Sequence, residues 1–423
     1  MGRLVGNAAV AQSGGPTAVI NASAAGVIQA ALAADIPHVL GAHNGILGVL
    51  REQLFDLGQE DPADIEGLRR TPSAALGSCR YKLKGLQDSR ADYERILEVF
   101  RAHDVRYFFY IGGNDSMDTA DKLGTLARET GYELRVMGIP KTIDNDLVET
   151  DHCPGYGSVI KYLAATVMEA GRDTEAMYTA DTATVLETMG RNTGWIAAGT
   201  GLAQRTPEDA PHLIYVPEIP FSVDRFVEDC HAVLQRLGRL FIVAAEGLRD
   251  EKGQYIASDT GAFATDAFGH RQLGGVAEFL KTMVEEKVGV KCRWNKLGTC
   301  QRNAMHFASK ADADEAYLVG QVAVEQALQG TTGKMVTLRR RSDSPYSITT
   351  GLVDLAVVAN GERPLPRQYM NDAGTHISES MRRYAQPLIQ GEVPLEVGAD
   401  GLPVYVRLRR HFVEPKTGRR YEV

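Results

Sequence analysis

The sequence predicts an α/β protein built from two doubly wound domains that pack across a cleft. Short apolar runs that suit buried strands alternate with helical patterns through the first third of the chain, and the alternation resumes after about residue 180. Such alternation favours parallel sheets with helices on both faces. A chain of 423 residues can bury more than one core, and no long linker separates its halves. We therefore expect two domains with crossing chains.

Composition and charge exclude several classes of protein. The chain is 44% hydrophobic and 24% charged, with a net charge of −8 and no basic block, so a nucleic-acid partner is not expected. No apolar run approaches the ~20 residues of a membrane helix, and no signal-peptide pattern opens the chain. Five scattered cysteines without a CxxC pair argue against a disulfide framework and against zinc. We expect a cytoplasmic protein without a membrane partner.

The first predicted unit is a strand, a glycine turn and a helix. The strand spans residues 8–12, the turn is Ser13-Gly14-Gly15-Pro16-Thr17, and the helix covers residues 18–33. This arrangement points backbone N–H groups and a positive helix end at an anion. The turn lacks the Lys-Ser or Lys-Thr pair of a Walker A loop and does not match GxGxxG. Alone, it is equally compatible with a plain turn.

The stretch from residue 107 to residue 146 places two polar turns at two strand ends. An apolar strand at 107–111 ends in Gly112-Gly113-Asn114-Asp115-Ser116, and a helix follows at about 117–129. A second strand at 134–139 ends in Pro140-Lys141-Thr142-Ile143-Asp144-Asn145-Asp146. Ligands of an open parallel sheet bind outside the carboxyl ends of its strands. These two turns are therefore predicted to face one site.

The remaining patterns complete the two domains. Predicted strands lie at 39–50, with a tight turn, and at 182–187, 213–216, 240–245 and 291–297. Predicted helices lie at 92–103, from the turn Gly155-Tyr156-Gly157 to about 170, from a Ser222 N-cap to 237, and at 275–286 and 312–329. Beyond about residue 346 the pattern is less regular, and the tail from 404 to 423 is basic and β-like.

The polar strand ends carry the groups that phosphoryl transfer needs. Such transfer asks for a carboxylate near the attacking hydroxyl, cations on the moving phosphoryl group and usually Mg²⁺. Asp144 suits a general base, and Lys141 could touch the transferred group. Arg80 and Arg191 could clamp phosphates bidentately. Asp-Asn-Asp after a strand is also good turn chemistry, so spacing alone leaves a purely structural role for residues 142–146 open.

Three turns together resemble the signature turns of the phosphofructokinase family. They are the Gly112–Ser116 turn, the Pro140–Asp146 turn and Met189-Gly190-Arg191, in the order and with the separations of that family. Further matches to its ligand contacts are Ser13-Gly14-Gly15, Gly77-Ser78-Cys79-Arg80, Glu246-Gly247 and Gln301-Arg302. The resemblance covers about residues 8–329. It implies two Rossmann-like domains: 1–155 with about 303–370 for the phosphoryl donor, and about 156–302 with about 371–423 for the sugar phosphate.

The resemblance implies a reaction and a set of site residues. The 1-hydroxyl of fructose 6-phosphate attacks a terminal phosphoryl group, with catalytic roles for Asp144 as base and for Lys141, Asp115 and Arg80. The implied sugar-phosphate contacts are Thr142, Ile143, Asp144, Met189, Gly190, Arg191, Glu246, Arg293, Thr299, Cys300, Gln301 and Arg302, with Arg293 often supplied across a subunit interface. The implied donor contacts are Gly15, Arg80, Gly113, Ser116 and Lys141, with Mg²⁺ at Asn114 and Asp146.

Two positions favour pyrophosphate over ATP as the donor. ATP-using members of the family have glycines where this chain has Asp115 and Lys141. A carboxylate at Asp115 would occupy the region of a nucleotide α-phosphate. Two like charges ~4 Å apart at an effective dielectric near 20 repel by about 4 kcal/mol, or roughly a thousandfold in binding. Lys141 would place a cation on the transferring phosphoryl group, where it raises turnover.

Some positions depart from the family pattern. Asn114 stands where many members have an aspartate implicated in holding Mg²⁺, and an amide offers a hard cation less charge. Thr299 and Thr182 stand where ATP-using bacterial members have a histidine and an arginine. The alternatives are an ATP-dependent 6-phosphofructokinase and a non-catalytic regulatory subunit that binds sugar phosphate. The family implies a homodimer or homotetramer, and allosteric regulation is not expected.

Overall fold

Two β-sheets organise the part of the chain that the computed structural model describes, residues 3–79, 81, 83–257 and 275–422. The strands of the first sheet are β1 Asn7–Gln12, β2 Val39–Ala42, β3 Leu54–Asp56, β4 Val105–Gly112, β5 Arg135–Pro140, β10 Lys334–Asp343 and β11 Tyr346–Asp354. Those of the second sheet are β6 Ala183–Thr188, β7 Leu213–Tyr215, β8 Leu240–Ala245 and β9 Cys292–Lys296.

Helices connect these strands and cover the sheets. The described α-helices are α1 Ile20–Ala33, α2 Ile46–Leu50, α3 Pro62–Gly67, α4 Arg90–Ala102, α5 Asn114–Glu129, α6 Tyr156–Met177, α7 Trp195–Gly199, α8 Val223–Leu237, α9 Val276–Met283, α10 Cys300–Asn303, α11 Lys310–Leu328, α12 Leu355–Ala359 and α13 Glu379–Ala385. Ser222 caps α8 as predicted, because its hydroxyl accepts from the Arg225 N–H. Among the described helices, none has the length and apolar character that crossing a membrane requires.

The strand order brings several strand ends to one edge. The first sheet runs β11-β10-β5-β4-β1-β2-β3, parallel from β10 to β2 and antiparallel at both outer strands. The chain goes from β1 to β2 on one side and later to β4 on the other, which creates a switch point between the ends of β1 and β4. The second sheet runs β7-β8-β6-β9 and is parallel throughout. The predicted α/β class is confirmed.

The apolar run of β4 is buried on both faces. Phe108 and Tyr110 pack in one core cluster, while Phe109 and Ile111 pack in another on the opposite face. Such a central parallel strand has no polar face, so its sequence reads as a continuous apolar run. The same burial holds its final residues rigidly, and these lead directly into the Gly112–Ser116 turn.

The structure differs from the sequence prediction in several elements. Residues 39–50 form strand β2 and then helix α2, where a strand and turn were predicted. The β10–β11 hairpin and β3 were not predicted; β11 is only half-buried and largely polar, so it lacks an apolar run. The tail 404–422 forms no regular strand within its described residues and pairs with β3 only through the Phe55–Phe412 bridge. The tail thus lies against the first sheet, although the predicted division groups it with the sugar-phosphate domain; that division stays a prediction.

Candidate active site

A cleft of about 440 Å³ lies where the carboxyl ends of strands from both sheets meet. The turns after β1, β4 and β5 contribute one wall, and those after β6 and β8 contribute the other. The predicted site residues that line it are Gly15, Gly113, Asn114, Asp115, Ser116, Lys141, Thr142, Ile143, Asp144, Asp146, Met189, Arg191, Glu246 and Arg302. Turns that are far apart in sequence therefore form one site, because parallel strands end at a common edge.

The glycine turn after β1 admits two cations. Gly14 adopts a φ of +73°, which favours glycine. A Cβ atom on Gly15 would lie 2.7 Å from Arg302 Nη1, and one on Gly14 would lie 3.3 Å from Lys141 Nζ. Lys141 is buried and donates from Nζ to the Gly15 carbonyl at 2.8 Å. The missing side chains let both cations reach this turn, where an anion would also meet backbone N–H groups.

The turn after β4 begins helix α5. Gly112 must be glycine, because a Cβ there would overlap the Ser116 hydroxyl. Asn114 accepts the Asp115 N–H on its side-chain oxygen at 2.9 Å, so one of that oxygen's two acceptor positions is already engaged. Asp115 lies in the first turn of α5, at the positive end of the helix, and also lines the cleft.

Hydrogen bonds fix the turn after β5 from both sides. The Asp144 N–H donates to Thr142 Oγ1 at 3.1 Å, and Thr193 Oγ1 donates to the Asp144 carbonyl at 3.0 Å. Asn145 has a φ of +56°, which asparagine tolerates better than most residues. Its side chain is fully buried, donates to Tyr384 Oη at 2.9 Å and accepts from the Cys153 N–H at 3.0 Å. The Asp144 carboxylate is thereby held in the cleft on a rigid support.

Arg363 supports the same turn from the far end of the chain. Its guanidinium donates to the Asn145 carbonyl at 2.8 and 3.1 Å and to the Thr150 and Asp151 carbonyls at 2.7 Å each. It also lies over the ring of Trp195, 4.8 Å from the centroid. These contacts explain how a turn with a left-handed residue keeps one conformation.

Buried acids raise one another's pKa in the cleft. Burial and the neighbouring Asp146 and Glu246 carboxylates raise the pKa of Asp144 to about 7, against the opposing effect of Lys141 and Arg191. Burial also raises the pKa of Asp146. Burial and the Glu187 carboxylate raise the pKa of Glu246 to about 7. A carboxyl group that titrates near neutral pH can both accept and donate a proton, as acid–base catalysis requires.

The second wall depends on close backbone packing. Gly190 has a φ of +121°, and a Cβ there would lie 2.6 Å from the Thr193 carbonyl. A Cβ on Gly247 would overlap the Arg191 backbone. Gln301 accepts the Met189 N–H at 3.0 Å and is buried behind the turn. Gly190 and Gln301 therefore shape the wall rather than line it.

Other predicted contacts lie away from the cleft. Thr299 and Cys300 are not among its lining residues. Arg293 sits on the exposed edge strand β9, beside Thr184 near the amino end of β6, and its guanidinium pairs with Asp181 at 2.6 Å. Arg80 lies outside the described residues. The roles assigned to these residues stay predictions.

Several lining residues were not among the predicted contacts. Pro16 follows the predicted Ser13-Gly14-Gly15 match, and Asn192 and Thr193 follow Met189-Gly190-Arg191. Glu362 had no such signal; it reaches the cleft from the segment after α12 and accepts from Asn192 Nδ2 at 2.9 Å. Only the packing of the two halves brings it there.

The acids of the cleft fit a divalent cation whose other ligands come from a substrate. In the described part of the chain, no group of three His, Cys, Asp or Glu residues could hold a metal by itself. Asp146 lines the cleft, and its Oδ1 atom is buried without a hydrogen-bond partner. Mg²⁺ usually binds one or two carboxylates together with phosphate oxygens and water. Asp146 therefore fits this cation better than Asn114 does.

Comparisons with known proteins give the family of this chain. A family model described as Phosphofructokinase matches residues 7–327. The pyrophosphate–fructose 6-phosphate 1-phosphotransferase of Xanthomonas campestris pv. campestris (strain B100) is 50% identical over 414 residues, which are 97% of this chain and 98% of that protein. The protein of the same name from Halomonas elongata is 49% identical, with coverage of 97% and 98%. The crystal structure of a pyrophosphate-dependent phosphofructokinase from Marinobacter aquaeolei has a TM-score of 0.90 at 43% identity, covering 99% of this chain and 100% of that one.

Proposed function

This chain belongs to the phosphofructokinase family, and we propose that it transfers a phosphoryl group reversibly from pyrophosphate to the 1-hydroxyl of fructose 6-phosphate. The products are fructose 1,6-bisphosphate and phosphate. The observation that carries the proposal is the presence of Asp115, Lys141 and Asp144 in one cleft. The similarity to relatives named for the pyrophosphate reaction supports the same donor.

Asp144 and the surrounding cations perform the transfer. Asp144 takes the proton of the 1-hydroxyl while the sugar oxygen bonds to a phosphorus atom of pyrophosphate. The bridging P–O bond of pyrophosphate breaks, and phosphate is released. Lys141, held against the glycine turn, places positive charge where negative charge moves. In the reverse direction, protonated Asp144 returns the proton to the departing sugar oxygen.

A divalent cation fits this site, and we propose that it is Mg²⁺. Asp146 would hold it, with the substrate phosphates as its other ligands. When bound, it neutralises charge on the phosphates. The proposed location is the cytoplasm, since all five cysteines are free thiols. A homodimer or homotetramer is proposed because the resemblance gives Arg293 a role across a subunit interface, and its side chain is 63% exposed here.

The donor is tested by comparing pyrophosphate and ATP, each with Mg²⁺, at equal concentrations of fructose 6-phosphate. We expect kcat/KM for pyrophosphate to exceed that for ATP by about a thousandfold, as the ~4 kcal/mol repulsion at Asp115 requires. Higher turnover with ATP would identify an ATP-dependent kinase. No transfer from either donor, in a protein that binds fructose 6-phosphate, would identify a regulatory subunit.

The pH dependence of the two directions is expected to be opposite. Because the pKa of Asp144 is raised to about 7, the base is mostly protonated at pH 6 and mostly ionised at pH 8. For the forward reaction, kcat/KM should rise about tenfold from pH 6 to pH 8, and for the reverse reaction it should fall over the same range. Initial rates at subsaturating sugar phosphate and saturating donor measure both profiles. Forward and reverse profiles of the same sign would contradict this role of Asp144.

A further inference from the structure

Residues 404–422, here named the C-terminal strap, lie along the edge of the first sheet. The Asp56 N–H donates to the His411 carbonyl and the Val413 N–H donates to the Leu54 carbonyl, both at 2.9 Å, so the strap pairs with β3. Farther on, the Lys416 N–H donates to the buried Glu52 at 2.6 Å. The strap is therefore attached at several points that are independent of the active site.

The strap also contacts the loop that precedes α4, through Arg410. This residue has a φ of +59°, which is uncommon for a residue with a side chain. Glu60 holds the backbone there, since it accepts the Arg409 and Arg410 N–H groups at 2.9 and 2.7 Å. In this conformation the guanidinium donates to the Ala75 carbonyl at 3.2 Å. Backbone strain of this kind is kept only where surrounding contacts enforce it.

A second contact with the same loop runs through Tyr421. Its hydroxyl donates to Asp92 Oδ1 at 2.6 Å, and the Tyr81 hydroxyl donates to Asp92 Oδ2 at 3.0 Å. One carboxylate thus joins the end of the strap to the far end of the loop. Residues 75–79 and Tyr81, here named the support loop, are anchored at both ends.

The support loop in turn holds the glycine turn of the cleft. Ser78 Oγ donates to the Gly14 carbonyl at 2.6 Å, and the Gly14 N–H donates to the Cys79 carbonyl at 3.2 Å. Lys141 donates to the next residue, Gly15. The chain of contacts therefore runs from Arg410 and Tyr421, through the support loop, to the turn against which Lys141 is placed.

We propose that Arg410 and Tyr421 are positioning residues for pyrophosphate, acting through the support loop on Gly14. This proposal rests on the proposed function. Within the described residues, these contacts end at the turn after β1, where Lys141 donates to the Gly15 carbonyl. Binding of the donor therefore depends on them more than binding of the sugar phosphate does. Removing them leaves the strap attached to β3, Glu60 and Glu52.

The test uses the full chain with the double change Arg410→Met and Tyr421→Phe. Arg419→Met is the matched control, because Arg419 is also on the strap but pairs with Glu98, away from the support loop. We expect KM for pyrophosphate to rise about three- to tenfold in the double variant, as loss of two ordinary hydrogen bonds allows. KM for fructose 6-phosphate should rise less than KM for pyrophosphate, and the control should match the parent protein.

Hydrogen–deuterium exchange separates this proposal from the proposed function. Peptides that contain Gly14 and the support loop should exchange faster in the double variant alone, whereas α8 should not change. If the parent protein does not use pyrophosphate, the proposed function is wrong. The exchange result still shows whether Arg410 and Tyr421 are coupled to Gly14 through the support loop. Three outcomes would each overturn the proposal. They are unchanged exchange at Gly14, an unchanged KM for pyrophosphate in an active protein, and an equal rise of both KM values with a lower Tm.

Discussion

Replacement of Asp144 by alanine or asparagine is expected to slow phosphoryl transfer about 10²- to 10⁴-fold, the contribution of a well-placed general base. The carboxylate lines the cleft, and Thr142, Thr193 and Asn145 fix its turn without using the carboxylate itself. The fold should therefore survive the change. Steady-state rates with both substrates saturating measure the loss in kcat, and circular dichroism checks the fold.

The same change should stabilise the protein at alkaline pH. The pKa of Asp144 is raised from 3.8 to about 7, so the folded state favours the protonated form. The contribution of Asp144 to the free energy of unfolding is fully present below pH 3.8. It is lost as pH rises through 7, because the folded protein must then hold a buried carboxylate. The Tm of Asp144→Asn should exceed that of the parent protein at pH 8, and the difference should shrink towards pH 5.

A matched control for Asp144 is Asp118→Asn. Asp118 pairs with Lys122 on α5 outside the cleft. This variant should keep full turnover and show no gain in Tm at pH 8. Near-normal turnover of Asp144→Asn or Asp144→Ala would refute the assignment of the base.

Replacement of Lys141 should lower turnover with pyrophosphate more than it weakens binding. Lys141 is buried in the cleft and donates to the glycine turn, and its proposed role is to place positive charge where the phosphoryl group moves. Removing one such electrostatic contact typically costs 10²- to 10³-fold in kcat. Lys141→Met should show this loss with a smaller change in KM. Lys122→Met, on α5 and away from the cleft, should behave as the parent protein; a comparable loss in both variants would argue against a specific role.

Replacement of Asp115 by glycine should improve the use of ATP, alone or together with Lys141→Gly. The carboxylate lies at the start of α5 and lines the cleft, and the family resemblance implies that a nucleotide's α-phosphate would lie beside it. Removing a repulsion of about 4 kcal/mol allows up to roughly a thousandfold gain in ATP affinity. Competition of ATP against pyrophosphate measures the gain. If ATP binding stays unmeasurable in the double variant, charge and size at these two positions do not choose the donor.

The sequence predicted those features whose cause is local. The apolar run of β4 and the polar turn after it are both visible along the chain, because a buried parallel strand must be apolar throughout and must end in a turn. The Ser222 cap and the limits of α8 were predicted for the same reason. The β10–β11 hairpin was missed, since β11 is half-buried and β10 has only four buried residues before its sequence becomes polar.

Sequence alone determined the family, the α/β fold and the turns that carry Asp115, Lys141 and Asp144, because glycine, charge and strand ends are local properties. Only the tertiary structure decided what surrounds them. Arg363 reaches the Asn145 carbonyl across 218 positions of the chain, and Glu362 joins the cleft beside it. The near-neutral pKa of Asp144 depends on burial and on acids from other strands. Such effects depend on how the two sheets pack against each other. The residue pattern within one segment carries no information about that packing.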